Sequence, residues 1–174
     1  CGYEVEAIPL TSRGRVDLSA LKAALNDDVA AFMLTNPNTC GLFEDEILEQ
    51  AQAVHDAGGF FYCDGANFNA IVGRVRPGDL GIDCMHLNLH KTFSTPHGGG
   101  GPGSGPVVLS EALVDYAPLP WVVHGDEGFR LVEHEGDAAG AAPYGRTKAF
   151  HGQMGMFVRA LAYMMSHGSD GLRQ

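Results

Sequence analysis

The sequence predicts an α/β fold with a mainly parallel sheet and flanking helices. Three features predict it: short apolar runs alternate with segments of helical periodicity, their connections are short, and polar or glycine-rich residues follow each apolar run. Strands joined through helices in this way lie parallel, with right-handed crossovers. Because open parallel sheets bind ligands outside the carboxyl ends of their strands, the fold class also predicts where a site lies.

Composition excludes several classes of protein. The chain has 174 residues, of which 45% are hydrophobic, and this is enough for a continuous core and too much for a disordered protein. A formal net charge of −10 repels polyanions, so we expect no nucleic-acid partner. No stretch approaches the roughly 18 apolar residues of a membrane span, so we expect a soluble protein without a membrane partner.

The cysteines and the lack of an export leader indicate the compartment. Cys1, Cys40, Cys63 and Cys84 lie far apart and form no CxxC pair, whereas a disulfide framework or a zinc knuckle needs tighter spacing. No basic-then-apolar leader marks export. Reduced thiols in a bacterial-type cytoplasm are therefore expected.

The first predicted elements lie before residue 39. Residues 3–8 alternate like the middle of a strand, and residues 17–25 place leucines at i, i+3 and i+7 behind a capping aspartate, which predicts a helix. Residues 29–34 form an apolar run that predicts a buried strand, and residues 35–38 (TNPN) end it in a turn.

The next elements continue the alternation. Acidic residues 44–46 open a second helix in its first turn, and the glycines at 58–59 stop it. Residues 60–63 predict a second buried strand and residues 85–90 a third, with leucines on one face and His86, Asn88 and His90 on the other. Residues 107–109 predict a fourth strand.

The pattern loosens after residue 111. We expect three regions: residues 1–117 as part of a large domain, residues 118–147 as an irregular connecting segment, and residues 148–174 as a helix that starts a C-terminal region. This last, amphipathic helix is predicted from about residue 148 to residue 166. Its apolar residues at helical spacing are Met154, Phe157, Val158, Leu161 and Met165.

The topology gathers polar and ionisable residues at one edge of the predicted sheet. Residues 35–38, 64–67 and 90–92 each follow a predicted strand. Because the carboxyl ends of parallel strands share an edge, these three segments are expected to form a site.

Lys91 and Asp64 are the strongest candidates for functional residues. Burial beside His90 and a glycine loop would lower the pKa of the Lys91 amine and prepare it for Schiff-base formation; a solvated lysine at a strand end is the alternative. Asp64 leaves an apolar strand, so its carboxylate needs a partner such as a metal or the protonated pyridine nitrogen of pyridoxal phosphate. The alternative for Asp64 is a local turn stabilised by backbone N–H groups.

Three further patterns carry weaker signals. The loop at residues 97–105 contains GxGxxG, but no helix is predicted to follow it, so we reject a dinucleotide-binding fingerprint. The loop is interpreted as a mobile loop at the entrance of an active site, or alternatively as a flexible connector. His86 and His90 are spaced like some zinc pairs, yet no third ligand is evident, and no metal is expected. Residues 133–135 (EHE) predict a solvated cluster.

Three motifs together resemble the glycine dehydrogenase (decarboxylating) family, the P-proteins of the glycine cleavage system. Residues 86–103 (HLNLHKTFSTPHGGGGPG) look like the family's cofactor-lysine motif, and residues 34–44 and 62–67 resemble two further motifs in the same order. The resemblance extends over nearly the whole chain, corresponds to subunit 2 or the C-terminal half, and weakens over residues 118–147.

The resemblance implies a fold and a set of site residues. The fold is the large domain of fold type I pyridoxal-phosphate enzymes, incomplete here, with residues 1–117 in the cofactor-binding domain. Lys91 would hold pyridoxal 5'-phosphate through a Schiff base, and Asp64 would pair with the pyridine nitrogen. Ala66 would lie against the ring, His90 beside the Schiff base or the phosphate, and Asn38 would donate a hydrogen bond to the ring hydroxyl.

The resemblance also implies an activity and partners. The family decarboxylates glycine and transfers the aminomethyl group to the lipoyl arm of the H-protein, and it works as a homo- or hetero-oligomer with the remaining P-protein segment or a partner subunit. The chain is shorter than the family's subunits and lacks upstream segments that would cradle the phosphate. We therefore expect a fragment that binds cofactor weakly and does not turn over glycine alone.

Two other interpretations stay open. One is another fold type I pyridoxal-phosphate decarboxylase, aldolase or lyase, which would not need the lipoylated H-protein as acceptor. The other is a non-catalytic remnant that keeps the sheet without the site, although the intact His90 and Lys91 argue against it.

Overall fold

The central sheet of the computed structural model has four strands in the order β1-β2-β3-β4. They are β1 (Ala31–Thr35), β2 (Phe60–Gly65), β3 (Cys84–Leu87) and β4 (Val107–Leu109). Strand β2 pairs in parallel with both β1 and β3, whereas β4 runs antiparallel to β3. The mainly parallel sheet predicted from the sequence is confirmed.

The structure describes residues 2–101, 103–138, 141–147 and 150–174. No helix within these ranges is long and apolar enough to cross a membrane. The free thiols among the described residues are Cys40, Cys63 and Cys84, and Cys1 lies outside them.

Helix α1 (Leu18–Ala24) forms where the leucine spacing predicts it. Oδ1 of Asp17 accepts hydrogen bonds from the N–H groups of Ser19 and Ala20, at 2.9 and 3.0 Å. These bonds satisfy two of the N–H groups that lack a partner at the start of a helix. The capping role predicted for this aspartate is therefore confirmed.

Helix α2 (Ile47–Asp56) starts one residue after the acidic run that was expected in its first turn. Glu44 is buried instead, and its carboxylate accepts hydrogen bonds from the N–H of Val16 and from Nε2 of Gln50. Burial of a carboxylate requires such partners, so Glu44 ties the segment before α1 to α2. The helix ends before Gly58, whose φ of 79° few other residues adopt.

The core lies on one face of the sheet, beneath α1 and α2. Alternate residues of the strands point into it because successive side chains of a strand face opposite ways. The buried members of this core are Val16, Leu21, Phe32, Ile47, Ala51, Val54, Phe61, Cys63, Ile82 and Met85. On the opposite face Met33 and Phe60 are exposed, and Tyr62, Asp64 and His86 are half-buried.

Two sequence-based expectations near the sheet are wrong. Residues 3–8 form no strand, because the alternating segment pairs with no described strand, and Val5 is 95% exposed. Strand β3 ends at Leu87, and a helical turn, α3 (Leu89–Thr92), follows it. The carbonyl of Asn88 accepts hydrogen bonds from the N–H groups of Lys91 and Thr92, so this backbone turns instead of extending the strand.

The segment expected to be irregular, residues 118–147, contains a β-hairpin. Strands β5 (Trp121–Gly125) and β6 (Gly128–Val132) pair antiparallel after a short helix, α4 (Glu111–Val114). The hairpin has few buried side chains, and its Phe129 is 78% exposed, so backbone pairing between the two strands defines it more than burial does. The division into three regions stays a prediction.

Helix α5 (Met154–Arg173) begins later than expected, and Lys148 lies outside the described residues. Met156 and Ala160 are buried, and Ala160 packs in a cluster with Leu89 and Phe93 of the α3 region. The apolar stripe that predicted the helix is exposed at all five positions: Met154, Phe157, Val158, Leu161 and Met165. The periodicity therefore predicted the helix correctly but not the face that packs on this chain.

A buried carboxylate joins the strands at the amino end of β3. Oδ2 of Asp83 accepts hydrogen bonds from the Phe61 N–H at 2.8 Å and pairs with His55 Nε2 at 2.7 Å, and Oδ1 accepts one from the Ser110 hydroxyl at 3.0 Å. Burial raises the pKa of Asp83, but the hydrogen bonds from Phe61, His55 and Ser110 outweigh it, so the net pKa lies below 3.8.

We expect Asp83→Asn to lower the free energy of unfolding by about 2–4 kcal/mol at pH 7, because the amide cannot accept all of these hydrogen bonds. A lowered pKa stabilises the folded state above the unfolded pKa, and that contribution is lost as the pH falls below about 3.8. Denaturant titrations at several acidic pH values should therefore show a weaker loss of stability in the variant than in the wild type.

Asp79→Asn is the matched control, because Asp79 is exposed and pairs only with the exposed Arg76. We expect this control to change stability by less than about 0.5 kcal/mol. An Asp83→Asn protein with the stability and the acid profile of the wild type would contradict this account of the network.

Candidate functional site

The carboxyl ends of β1, β2 and β3 meet at one edge of the sheet, as the topology predicts. Thr35 is the register partner of Asp64 on β2, and Asp64 is in turn the partner of His86 on β3. Just beyond the strands, Nδ2 of Asn67 donates a hydrogen bond to the carbonyl of Pro37 at 2.9 Å. The segments that follow β1 and β2 are therefore fixed to each other.

Asp64 combines a local turn with an available oxygen. Its Oδ1 accepts a hydrogen bond from the Ala66 N–H at 2.8 Å and lies 3.4 Å from Nε2 of His86. Its Oδ2 accepts no hydrogen bond from the residues that the structure describes. The local turn considered from the sequence is present, and it leaves one carboxylate oxygen free for a further donor.

Gly65 allows β2 and β3 to come close beside this carboxylate. A Cβ atom at position 65 would overlap the backbone oxygen of His86. Only glycine therefore fits here without moving β3, and the close approach places Asp64 next to His86.

Lys91 lies on α3, immediately beyond β3, at the same edge. The prediction of a buried amine is wrong, because the side chain is exposed and forms no ion pair with the described residues. The helical turn carries the lysine outward, whereas a longer strand would have kept it in the sheet. The amine is consequently accessible to a ligand that approaches from solvent.

Buried polar atoms without partners lie next to this lysine in sequence and at the end of β1. Nδ1 of His90 and Oγ1 of Thr92 flank Lys91, and Nδ2 of Asn36 lies at the end of β1, and none of them has a hydrogen-bond partner among the described residues. Since buried polar groups are nearly always hydrogen-bonded in folded proteins, these atoms can hydrogen-bond to a polar ligand at this edge.

His90 is half-buried and contacts the start of the glycine loop. Its ring lies edge-on to that of His97, with 4.7 Å between the ring centroids. Burial lowers the pKa of His90 first, and the neighbouring charges of His97 and Lys91 lower it further. The neutral imidazole is therefore favoured at neutral pH, with one ring nitrogen able to accept a hydrogen bond.

The family model for Aminotransferase class-V matches residues 1–102, which is more than half of the chain and includes all of the edge residues above. The chain belongs to the aminotransferase class-V family. Enzymes of this family depend on pyridoxal phosphate, which agrees with the cofactor expected from the sequence motifs.

Curated relatives in this family are similar over almost the whole chain. One from Caulobacter vibrioides is 69% identical over 173 residues, and one from Thermococcus onnurineus is 52% identical over 173 residues; both carry the name "Probable glycine dehydrogenase (decarboxylating) subunit 2". The match covers 99% of this chain but 33% and 34% of those relatives. The chain thus spans about a third of the length of the curated relatives it matches, and their name agrees with the resemblance seen in the motifs.

Two solved structures share the fold. A cysteine desulfurase from Escherichia coli aligns with a TM-score of 0.60 over 94% of this chain and 39% of its own, at 19% sequence identity. A cysteine desulfurase from Thermococcus onnurineus aligns with a TM-score of 0.56, also at 19% identity. These alignments confirm the predicted fold class.

The unpaired polar groups at the carboxyl ends of β1, β2 and β3 are chemically suited to bind pyridoxal phosphate. An accessible primary amine on Lys91 suits the cofactor's aldehyde, and the free Oδ2 of Asp64 suits its protonated pyridine nitrogen. The unpartnered atoms of His90, Thr92 and Asn36 are suited to its remaining polar groups. Two grooves in the described part of the chain lie elsewhere: one of about 440 Å³ between α1 and α2, and one of about 400 Å³ beside Leu119 and Arg146.

Asn38 takes part in the turn that follows β1. Its Nδ2 donates one hydrogen bond to the carbonyl of Gly14 at 3.0 Å, and its Oδ1 accepts from the N–H groups of Cys40 and Leu42. An amide nitrogen carries two N–H groups, so the second can still donate, and the contact with the ring hydroxyl stays a prediction. Ala66 is half-buried beside Asp64, where its N–H holds the carboxylate.

The zinc interpretation of His86 and His90 is wrong in its geometry. His86 lies on β3 and contacts Tyr62, whereas His90 lies on α3 and contacts His97, so the two do not share a strand face. Over the described ranges, no group of three or more His, Cys, Asp or Glu side chains is placed to hold a metal ion.

The glycine loop returns the chain from α3 to β4. The N–H groups of Gly100 and Gly101 both donate to the carbonyl of His97, which closes a tight turn, and the carbonyl of Pro106 accepts from the Leu87 N–H. A strand follows the loop, so rejection of the dinucleotide fingerprint is confirmed. The proposed mobility of the loop stays a prediction, and Pro102 lies outside the described residues.

Sequence reasoning missed the contacts of His86 and the buried amide of Asn36. The signal for His86 was its position on the polar face of β3, in register with Asp64. Asn36 is 1% exposed, and its Oδ1 accepts from the Glu44 N–H at 3.1 Å; a lone asparagine in a turn motif offered no comparable signal.

We expect His97→Gln to raise the pKa of His90, because the change removes a neighbouring positive charge. An NMR titration of the His90 ring protons should place the wild-type midpoint below 6.5 and the variant midpoint above that of the wild type. His134→Gln, at an exposed position far along the chain, should leave the midpoint unchanged. An unmoved midpoint in the His97→Gln protein would show that the two rings do not interact.

Proposed function

We propose that this chain carries the pyridoxal-phosphate lysine of a glycine dehydrogenase (decarboxylating) and acts within subunit 2 of that enzyme. The observation that carries the proposal is the arrangement of an accessible amine, a carboxylate with one free oxygen and several unpartnered polar atoms along one strand edge. The name of the curated relatives supports glycine as the substrate.

Each edge residue has a distinct role in this proposal. Lys91 provides the amine that holds the cofactor and yields its place to the amino group of glycine. Asp64 accepts a hydrogen bond from the pyridine N–H through Oδ2 and keeps that nitrogen charged. His90 lies beside the reacting carbon or the phosphate, Ala66 lies against the ring, and Asn38 donates a hydrogen bond to the ring hydroxyl through its second amide N–H.

The bound cofactor supplies an electron sink for the bond that breaks when carbon dioxide leaves glycine. Asp64 would keep the pyridine nitrogen protonated, which is the charge state in which the cofactor accepts electrons best. The exposed position of Lys91 suits a reaction in which a tethered acceptor must reach the same carbon.

The proposed acceptor is the lipoyl arm of the H-protein. Glycine would lose its carboxyl group as carbon dioxide, and the electron pair left on the aminomethyl carbon would form a bond to one lipoyl sulfur. The S–S bond would break in the same step, and the second sulfur would take up a proton and become a thiol, so the disulfide is reduced while the carbon is oxidised. The relatives' designation as subunit 2 supports a partner subunit and an oligomer, and the three described free thiols support a reducing, cytoplasmic setting.

Borohydride reduction in the presence of pyridoxal phosphate should label Lys91, and peptide mass mapping of the full-length protein will identify the site. The chain has three lysines, Lys22, Lys91 and Lys148. Lys91→Ala should abolish the label, whereas Lys22→Ala should retain it, because Lys22 lies on α1 away from the strand edge. Label on another lysine would contradict the assignment.

Exchange of carbon dioxide into the carboxyl group of glycine tests the reaction. The full-length protein with its partner subunit should catalyse exchange that depends on lipoylated H-protein, and Asp64→Asn should lower the rate by at least about a hundredfold, since a neutral amide cannot hold the ring charged. The isolated 174-residue chain should show no exchange. Exchange that is indifferent to H-protein would favour another decarboxylase, aldolase or lyase of the same fold type.

A further inference from the structure

Three side chains form a continuous polar chain behind the free oxygen of Asp64. Tyr62 and Asp64 lie on the same face of β2, two residues apart, and His86 faces them from β3 as the register partner of Asp64. The hydroxyl of Tyr62 lies 2.6 Å from Nδ1 of His86, and Nε2 of His86 lies 3.4 Å from Oδ1 of Asp64. All three residues are half-buried, so water competes only in part for these contacts.

The hydroxyl of Tyr62 and Nδ1 of His86 share one hydrogen bond, and its direction is tied to which nitrogen of His86 carries the proton. Burial raises the pKa of Tyr62, and the nearby Cys84, Asp64 and Cys63 raise it further, so the phenol keeps its proton at neutral pH. A phenol that donates to Nδ1 leaves the proton of a neutral imidazole on Nε2. That N–H is the ring donor nearest to the Asp64 carboxylate.

The two donors near Oδ1 orient the Asp64 carboxylate. The Ala66 N–H binds Oδ1 from the turn that follows β2, and His86 approaches it from the neighbouring strand. Oδ1 therefore has one hydrogen bond, from Ala66, and one close neighbour, Nε2 of His86, whereas Oδ2 has no donor among the described residues. The 3.4 Å contact with His86 is longer than a well-formed hydrogen bond; contacts in catalytic sites are commonly long without the ligand and shorten when it binds.

We propose that His86, oriented by Tyr62, is a positioning residue that aims Oδ2 of Asp64 at the ring nitrogen of the cofactor. The proposal rests on the function proposed above. His86 touches neither the cofactor nor the substrate in this scheme, and it acts only through Asp64. In metalloenzymes, a residue that hydrogen-bonds to a metal-ligating side chain orients that side chain in a similar way.

Binding of pyridoxal phosphate to the full-length protein provides the first test, with absorbance of the bound cofactor as the readout. His86→Leu should weaken binding about tenfold, because one hydrogen bond to a carboxylate is lost. His86→Gln should recover most of this loss, because its amide N–H can occupy the position of Nε2. Tyr62→Phe should weaken binding less than His86→Leu, because the His86 imidazole stays beside Asp64 and loses only its preference for a proton on Nε2.

The controls separate positioning from general damage. Tyr116→Phe and His134→Leu change the same residue types at exposed positions outside this polar chain, and both should bind the cofactor like the wild type. Wild-type affinity in the His86→Leu protein would overturn the proposal, and so would a His86→Gln protein as weak as His86→Leu, since packing alone would then explain the effect.

A second measurement needs no cofactor and separates failure of this proposal from failure of the proposed function. The 15N shifts of the His86 ring in cofactor-free protein should show the proton on Nε2, and Tyr62→Phe should reduce that preference. A proton on Nδ1 in the wild type would overturn the positioning role even if the cofactor binds. If the wild type binds no pyridoxal phosphate, the proposed function fails, and with it the positioning role.

Discussion

The parallel pairing of β1, β2 and β3 is the constraint on which the site depends. Parallel strands end at the same edge, so three polar segments that are distant in sequence become neighbours. The register matters as much as the direction, because side chains alternate between the two faces of a strand. A slip of one residue on β2 would turn Asp64 into the apolar core and break its contact with His86.

The opposite edge of the sheet helps to hold this register. Asp83 binds the backbone of Phe61 twice, through its own N–H to the Phe61 carbonyl and through its carboxylate to the Phe61 N–H. These bonds fix the start of β3 against β2, and Gly65 allows the close approach at the other end. The buried carboxylate of Asp83 at one end of the β2–β3 pair thus helps to fix the position of the half-buried Asp64 carboxylate at the other end. The pairing of the two strands connects them.

The sequence was sufficient for the elements whose signal is local. Apolar runs predicted all four strands of the sheet, and a capping aspartate with leucine spacing predicted α1. The end of β3 and the exposure of Lys91 follow from the turn at Asn88, which lies inside an alternating apolar run that predicted a longer strand. The hydrogen bond from Asn38 to Gly14 joins residues that are distant in sequence and was not predictable from local pattern. The exposed stripe on α5 gives the same lesson, since periodicity indicates an apolar face but not what covers it.

The central claim is that Lys91 and Asp64 serve one ligand at one strand edge. A crystal structure of the full-length protein with pyridoxal phosphate tests it most directly. The account predicts continuous density between the cofactor and Nζ of Lys91, with Oδ2 of Asp64 about 2.7–2.9 Å from the pyridine nitrogen, as expected for a charge-assisted hydrogen bond. A cofactor bound elsewhere, or an Asp64 carboxylate on the far side of the sheet from the Lys91 amine, would contradict it.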